Sequence, residues 1–274
     1  MNKILFVTDL YYEAKGRSYY EEDLYVTAEL RKDFDLAICH PKDIEAFEDD
    51  VDLIVFRNAG PATNFAEAYD AFRKRIVSKQ LNTYNSFNGK GDMNGKEYLI
   101  ELTDEHYPVI PTIDCLDNLQ MLGDVEKYII KPKDGADSIG MEIVHKDELF
   151  TKVDASNEQT LIQPLINFSY EVSFYYIDQE FQYALYAPDP DKRWVMEVYE
   201  PTAEDLAFAE KLLEWNNLHW GIQRVDACRN ESGELLLVEL EDLNPYLSLL
   251  DLNEETRNHF METMKQSLKK AIQA

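Results

Sequence analysis

Positive charge is scarce in this chain: 27 Lys and Arg stand against 53 Asp and Glu, a formal net charge of −26 over 274 residues. An excess of that size repels nucleic-acid backbones and anionic membrane surfaces, which excludes nucleic acid as a partner class. Cysteine is scarce too. Cys39, Cys115 and Cys228 are far apart and without CxxC spacing, so neither a disulfide framework nor a zinc knuckle is expected. Long apolar runs are missing. The opening MNKILFVTDL holds one run of about four apolar residues, too short for a signal-peptide core, and nothing later reaches the ~20 that a membrane span needs. A soluble cytoplasmic protein with no membrane partner is expected. His40, His106, His145, His219 and His259 show neither HExxH spacing nor a triad pattern, and no role falls to them.

The best-known phosphate motifs are absent as well. No GxGxxG follows the first apolar run, and GKGDMNGKE at 89–97 fails the P-loop pattern twice: Gly91 to Gly95 is one residue short, and Glu97 stands where Ser or Thr is required.

What is present reads as alternating strands and helices. The runs Lys3 to Thr8, Asp35 to Cys39 and Asp52 to Phe56 are short and continuously apolar, the pattern of strands buried on both faces of a parallel sheet. Helical patterns at Tyr20 to Arg31 and Asn64 to Ser78 separate and follow them, so residues 1–89 are expected to form an α/β layer domain. Residues 80–96 are rich in Asn and Gly and are expected to be a turn-rich domain junction. Beyond it the pattern predicts a short helix from Lys96 to Thr103, strands at Leu161-Ile162 and Val172 to Ile177, and a helix from Ala203 to Asn217. Two strands, Gln223 to Arg229 and Leu235 to Glu241, follow, joined by the turn Asn230 to Gly233, and the chain closes on a helix from Glu254 to Ile272.

One stretch carries chemistry on its face. KYIIKPKDGADSIG (127–140) ends an apolar strand in Lys131-Pro132, then turns through Gly135 and Gly140 toward a second apolar strand. Such a hairpin brings backbone close over a ligand, and a lysine at the strand end suits a phosphate. In so acidic a chain an anionic ligand needs local lysines, backbone N–H groups and a divalent cation.

Taken together, KYIIKPKDGADSIGMEIV, LIQPLINFSYEV, RVDACRNESGELLLVELE and the Asn-Pro of DLNPYLS resemble, in order and spacing, the ATP-grasp superfamily of carboxylate–amine ligases. The RVD, the hairpin turn and the acidic strand look most like D-alanine:D-alanine ligase and glutathione synthetase. The likeness implies an α/β (α+β) architecture: a pre-ATP-grasp α/β domain at 1–89, then an ATP-grasp domain at 90–274 made of two subdomains, with a lid at about 109–163. It implies ATP with Mg²⁺ or Mn²⁺, and small-molecule carboxylate and amine substrates; a homodimer is compatible with it.

The resemblance also assigns roles. Lys131 and Lys96 sit where the family's two phosphate-contacting lysines sit; the plain alternative is two solvated surface lysines. The family's glycine loop reads KPxxGSxGxG, and here Gly135 and Gly140 match while Ala136 and Ser138 replace a serine and a glycine. Gln163-Pro-Leu-Ile166 occupies the hinge whose backbone reads adenine, which singles out Gln163 and Leu165, and Glu171 falls where a carboxylate holds the ribose hydroxyls. Alternation leaves the face of Glu171 undecided.

The acidic strand can be argued from geometry. Glu239 and Glu241 are two apart and point to one face, with Asp226 on the partner strand, so the three carboxylates repel unless a divalent cation lies between them. The alternative for Glu241 is a solvent-facing glutamate beside Asp242. Counting back from Asn244-Pro245 instead pairs Asp242 with Asn244, which keeps Asn244 as a lesser ligand candidate. Arg224, two before Asp226, suits the transferred phosphate or an oxyanion. Arg57, after the third strand, reads as a salt-bridged surface arginine or as a contact for a substrate carboxylate. The expected activity is ATP-dependent ligation, with a phosphotransferase on the same fold or a nucleotide-binding module without catalysis as its rivals.

Overall fold

The structure is a computed structural model that describes residues 1–14, 17–57, 60–133, 140–153, 159–189 and 195–274. Its first layer contains β1 (Lys3–Val7), the two-residue strands β2 (Glu13–Ala14) and β3 (Arg17–Ser18), helix α1 (Tyr20–Leu30), β4 (Asp35–Cys39), β5 (Leu53–Phe56), helix α2 (Ala66–Lys79) and β6 (Thr83–Tyr84). A four-stranded parallel sheet runs in the order β4-β1-β5-β6. The continuous apolar runs of β1 and β5 arise because both strands are covered on both faces, and only Lys3 is exposed among them. The expectation of a mere connection at 80–96 needs correction. Thr83 and Tyr84 are buried and pair with Ile54 and Val55, so the segment supplies a fourth strand before it turns.

The chain then forms α3 (Tyr98–Asp104), β7 (Lys127–Pro132), β8 (Glu142–His145), α4 (Lys146–Lys152) and β9 (Thr160–Pro164). The expected hairpin is part of a three-stranded antiparallel sheet, order β8-β7-β9, with its own core of Ile113, Tyr128, Val144, Leu149 and Ile162. Gly140 has φ +78 and lies so close to Pro132 that a Cβ would stand 2.9 Å from its Cγ, which accounts for a glycine at the end of this turn.

The third sheet has the order β12-β11-β10-β13-β14, built from β10 (Phe168–Ile177), β11 (Glu180–Ala187), β12 (Glu197–Val198), β13 (Ile222–Asn230) and β14 (Leu235–Glu241), with α5 (Ala203–Asn216) between β12 and β13 and α6 (Glu254–Gln273) at the end. β11 has no counterpart in the sequence reading. Its turn is Asp178-Gln179, in which Asp178 takes φ +55 without any glycine to announce it.

One face of this sheet, through Val172, Phe174, Tyr176, Val225 and Leu237, packs on Leu212 and Leu213 of α5. At the other face Tyr175, Ile177, Tyr183 and Leu185 share a single core with Phe260, Met264 and Leu268 of α6 and with Ile4, Phe6 and Val55 of the first sheet. Asn85, just after β6, fastens the two sheets together. Its side chain donates to the carbonyls of Ile222 (2.6 Å) and Asp242 (2.7 Å) and accepts from the N–H of Ile222 (2.8 Å).

Candidate active site

The antiparallel ladder decides which side chains meet. Arg224 pairs with Glu241 and Asp226 with Glu239; on the other side of β13, Tyr175 pairs with Arg224, Ser173 with Asp226 and Glu171 with Cys228. Directly opposed residues share a face, so Glu171, Ser173, Tyr175, Arg224, Asp226, Glu239 and Glu241 all project from the face opposite α5. The undecided orientation of Glu171 is thereby resolved toward the acidic residues. The ladder fixes which residues of β13 and β14 face each other, with a bulge between Asp226 and Ala227.

Asp226, Glu239 and Glu241 each offer a carboxylate oxygen within 4.8 Å of the others. Arg224 is stretched across them. Its Nε donates to Asp226 Oδ1 (2.9 Å), its Nη2 to Asp226 Oδ2 (2.7 Å) and Glu241 Oε1 (2.5 Å), and its Nη1 to the Tyr246 carbonyl (2.8 Å). Ser173 Oγ donates to Asp226 Oδ1 at 2.6 Å, and Lys96 is ion-paired with Glu239. The charges pull the two glutamates apart. Burial, with the negative charges of Asp226 and Glu239, pushes Glu241 up to about 8 despite Arg224. Burial also opposes ionisation of Glu239, yet the Lys96 ammonium holds it down at about 2. Three half-buried oxygen donors with uncompensated negative charge fit a hard divalent cation such as Mg²⁺ or Mn²⁺.

Lys131 faces this cluster from the second sheet. No hydrogen bond or ion pair holds its ammonium among the described residues, and burial together with the charge of Lys96 lowers it to about 8, with Glu239 and Asp92 pulling the other way. Lys133, two residues on, has a different fate: it is buried and bonded to Glu97 (2.6 Å) and Asp114 (2.9 Å).

Several sequence expectations change. Gly135, Ala136 and Ser138 lie outside the described residues. The amide N–H of Leu165 donates to the Lys127 carbonyl at 2.9 Å, extending the β7–β9 ladder, so it is already engaged and not offered to a base. Gln163 is buried and its side chain donates to Thr112 Oγ1 at 2.8 Å, which makes it part of the packing behind the hinge. The Asn244 side-chain N–H donates to the Gly60 carbonyl at 3.0 Å and tethers the chain to the first layer. Arg57 is salt-bridged but not at the surface: it is 4% exposed, between Glu22, Asp23 and the Pro245 carbonyl. The glycines of the P-loop-like stretch cradle a carboxylate of the protein itself. Asp242 Oδ2 and Oδ1 accept from the N–H groups of Gly91 and Met93, both at 2.9 Å, and a Cβ on Gly89 would lie 2.2 Å from Asp242 Oδ2.

Two residues of the site escaped the sequence reading. Ser173 stands two after Glu171 on the same strand, and alternation was the signal that could have found it. Asp92 precedes Lys96 by four residues, and its carboxylate Oδ2 lies 4.0 Å from the Lys96 ammonium. Burial first, then the charge of Glu239, raises the Asp92 carboxyl well above the usual range.

No family model matches the chain, and no curated protein matches it in sequence. Its structure is another matter. A D-cycloserine synthetase superimposes with a TM-score of 0.72 at 18% identity, covering 96% of this chain and 99% of the other. The D-alanine–D-alanine ligase from Bacillus anthracis complexed with ATP gives 0.69 at 16% identity, over 100% of this chain and 98% of that one. An ATP-grasp ligase complexed with a variant of its minimal precursor, Mg and ADP gives 0.62 at 15%, over 98% and 97%. The chain has the ATP-grasp fold. The likeness runs the whole length of both chains, so the parallel first layer belongs to it as much as the two antiparallel sheets.

Proposed function

We propose that this protein is an ATP- and Mg²⁺-dependent ligase that joins the carboxylate of one small molecule to the amine of another through an acyl phosphate, in the cytoplasm. The observation that carries the reading is the meeting of Asp226, Glu239 and Glu241 with Arg224 on one sheet face, opposite Lys131. ATP lies between the two parts of residues 90–274, with residues of about 109–163 as the lid. Its base rests on the apolar face formed by Ile129 and the exposed Ile143, which lie on the same side of their sheet as Lys131, beside the hinge at 163–166. Glu171 accepts the ribose hydroxyls, and the loop bearing Gly135, Ser138 and Gly140 covers the phosphates.

Lys131 and Lys96 neutralise the transferring phosphoryl group. Asp226, Glu239 and Glu241 would hold a divalent cation, which supplies charge neutralisation and orientation at the phosphates. A substrate carboxylate oxygen bonds to the γ-phosphorus as its bond to the bridging oxygen breaks, and ADP leaves. The amine then attacks the acyl carbon, Arg224 steadies the oxyanion that forms, orthophosphate departs and the amine gives up a proton. Similar structures support the reading, since a D-alanine–D-alanine ligase and a D-cycloserine synthetase are both among them. The test is a screen of acid and amine mixtures with ADP and orthophosphate as readouts. Orthophosphate release is expected only when an acid and an amine are both present. ADP formation that is indifferent to the amine, with a phosphorylated acceptor accumulating, overturns ligation in favour of phosphotransfer.

A further inference from the structure

Lys96 is held by two carboxylates, and only one belongs to the metal cluster. Glu239 is its direct ion-pair partner, and Asp92 Oδ2, four residues earlier in the same turn, lies 4.0 Å away. The second oxygen of Asp92 is buried and has no hydrogen-bond partner among the described residues. A buried carboxylate oxygen without a donor, facing a second carboxylate, lowers stability, so its presence calls for an explanation outside folding.

The turn that carries Asp92 does not depend on that side chain. Gly91 and Met93 are fixed through their N–H groups by Asp242, Tyr69 donates to the Met93 carbonyl at 3.0 Å, Asn94 donates to the Gly89 carbonyl at 2.7 Å, and Arg73 donates to Asn94 at 2.5 Å. Gly91 itself admits no side chain, since a Cβ there would stand 2.6 Å from the Leu240 carbonyl. Asp92 is thus mounted rigidly on a turn clamped to the end of β14, with its carboxylate turned toward Lys96 and Glu239.

We propose that Asp92 is a positioning residue for Lys96: it keeps the ammonium aimed at nucleotide phosphate once Glu239 is committed to a divalent cation. A divalent cation and an ammonium on one carboxylate repel each other, so Lys96 needs a second carboxylate to hold it. Among the described residues Asp92 is the remaining carboxylate recorded within 4.0 Å of that ammonium. The inference rests on the nucleotide site proposed above and adds to it a residue outside the set of metal ligands.

The test measures the dissociation constant of a non-hydrolysable ATP analogue by calorimetry, with and without Mg²⁺, in the parent, Asp92→Asn, Asp92→Ser, Lys96→Met and the Asp92→Asn/Lys96→Met pair. Asp92→Asn is expected to weaken binding about tenfold with Mg²⁺, but less than about threefold in EDTA, where Glu239 still holds Lys96. In the Lys96→Met background the same change is expected to have no further effect, and apo melting should be unchanged or higher in both Asp92 variants. Binding within about twofold of the parent with Mg²⁺, or a loss that persists without Lys96, overturns the proposal. A lowered apo melting temperature in both Asp92→Asn and Asp92→Ser overturns it too, by making the residue structural. A parent that binds no analogue at all overturns the nucleotide site itself, an outcome distinct from an indifferent Asp92.

Discussion

Two acidic clusters in this protein are each closed by one arginine, and they behave oppositely. Around Arg57, the carboxylates of Glu22 and Asp23 are fully buried, and every surplus oxygen finds a neutral donor: Leu247 N–H (2.8 Å), Leu249 N–H (2.9 Å) and Thr8 Oγ1 (2.5 Å). Around Arg224, three carboxylates are partly buried and, among the described residues, receive one neutral donor, Ser173, besides Arg224 and Lys96. The first cluster ties α1 and the end of β5 to the segment at 245–249. The second leaves negative charge over, and Glu241 at about 8 records the imbalance. An arginine–carboxylate cluster whose surplus oxygens are met by neutral donors belongs to the fold, whereas one whose surplus is met only in part suits a cation.

That contrast is sharpest when each arginine is removed. Arg224→Ala is expected to lower ligation turnover by about a thousandfold, roughly 4 kcal/mol of transition-state stabilisation, while lowering apo stability far less than Arg57→Ala does. Kinetics alongside chemical denaturation check both; full turnover in Arg224→Ala would remove it from the chemistry. Arg57→Ala should destabilise the fold by about 3–5 kcal/mol, because it strands two buried carboxylates, without changing nucleotide affinity in the fraction that folds. A melting temperature close to the parent's would break the comparison.

The pH dependence separates the clusters next. Burial raises Glu22 from 4.5 to about 7 against the pull of Arg57. An acid raised on folding contributes stability that is fully present below its unfolded value and lost as pH rises through the folded one. Parent stability should therefore fall by about 3 kcal/mol as pH climbs from about 5 to about 8, and Glu22→Gln should flatten that slope. An unchanged slope would exclude Glu22 as its source. The smallest effect is expected at Glu241, raised in the same direction from 4.5 to about 8 but partly open to water. Glu241→Gln should melt slightly above the parent at about pH 9, by less than about 1 kcal/mol, and added Mg²⁺ should stabilise the parent but not the variant. Equal Mg²⁺ stabilisation of both would take Glu241 out of the cation site.

The acidic strand was legible because a hairpin is a local object. From the turn at Asn230 to Gly233, alternation alone puts Glu239 and Glu241 on one face and Asp226 opposite, and the register bears out that arithmetic despite the bulge after Asp226. Gln163, Leu165 and Asn244 were less legible because what they touch is distant in sequence: Thr112, the Lys127 carbonyl and the Gly60 carbonyl. Five strands were missed, β2, β3, β6, β11 and β12, and for a related reason. Thr83-Tyr84 is too short to show a period, and β11 follows a turn made by an aspartate in the left-handed region.

By itself, the sequence determined the alternation of strand and helix in the first layer, the lysine at a strand end and the acidic hairpin. All of these follow from periods of two and 3.6 and from turn chemistry, which act between near neighbours. Tertiary structure alone decided which charges are neutralised and by whom. Lys131 and Lys133 stand two apart in one strand end, yet one has no ion-pair partner among the described residues and the other is held by Glu97 and Asp114. The glycines at 89 and 91, which look like a phosphate loop, close instead on the carboxylate of Asp242 some 150 residues later. Such choices depend on burial and on partners brought in by long loops, and the energy of a charge is set by what surrounds it in space.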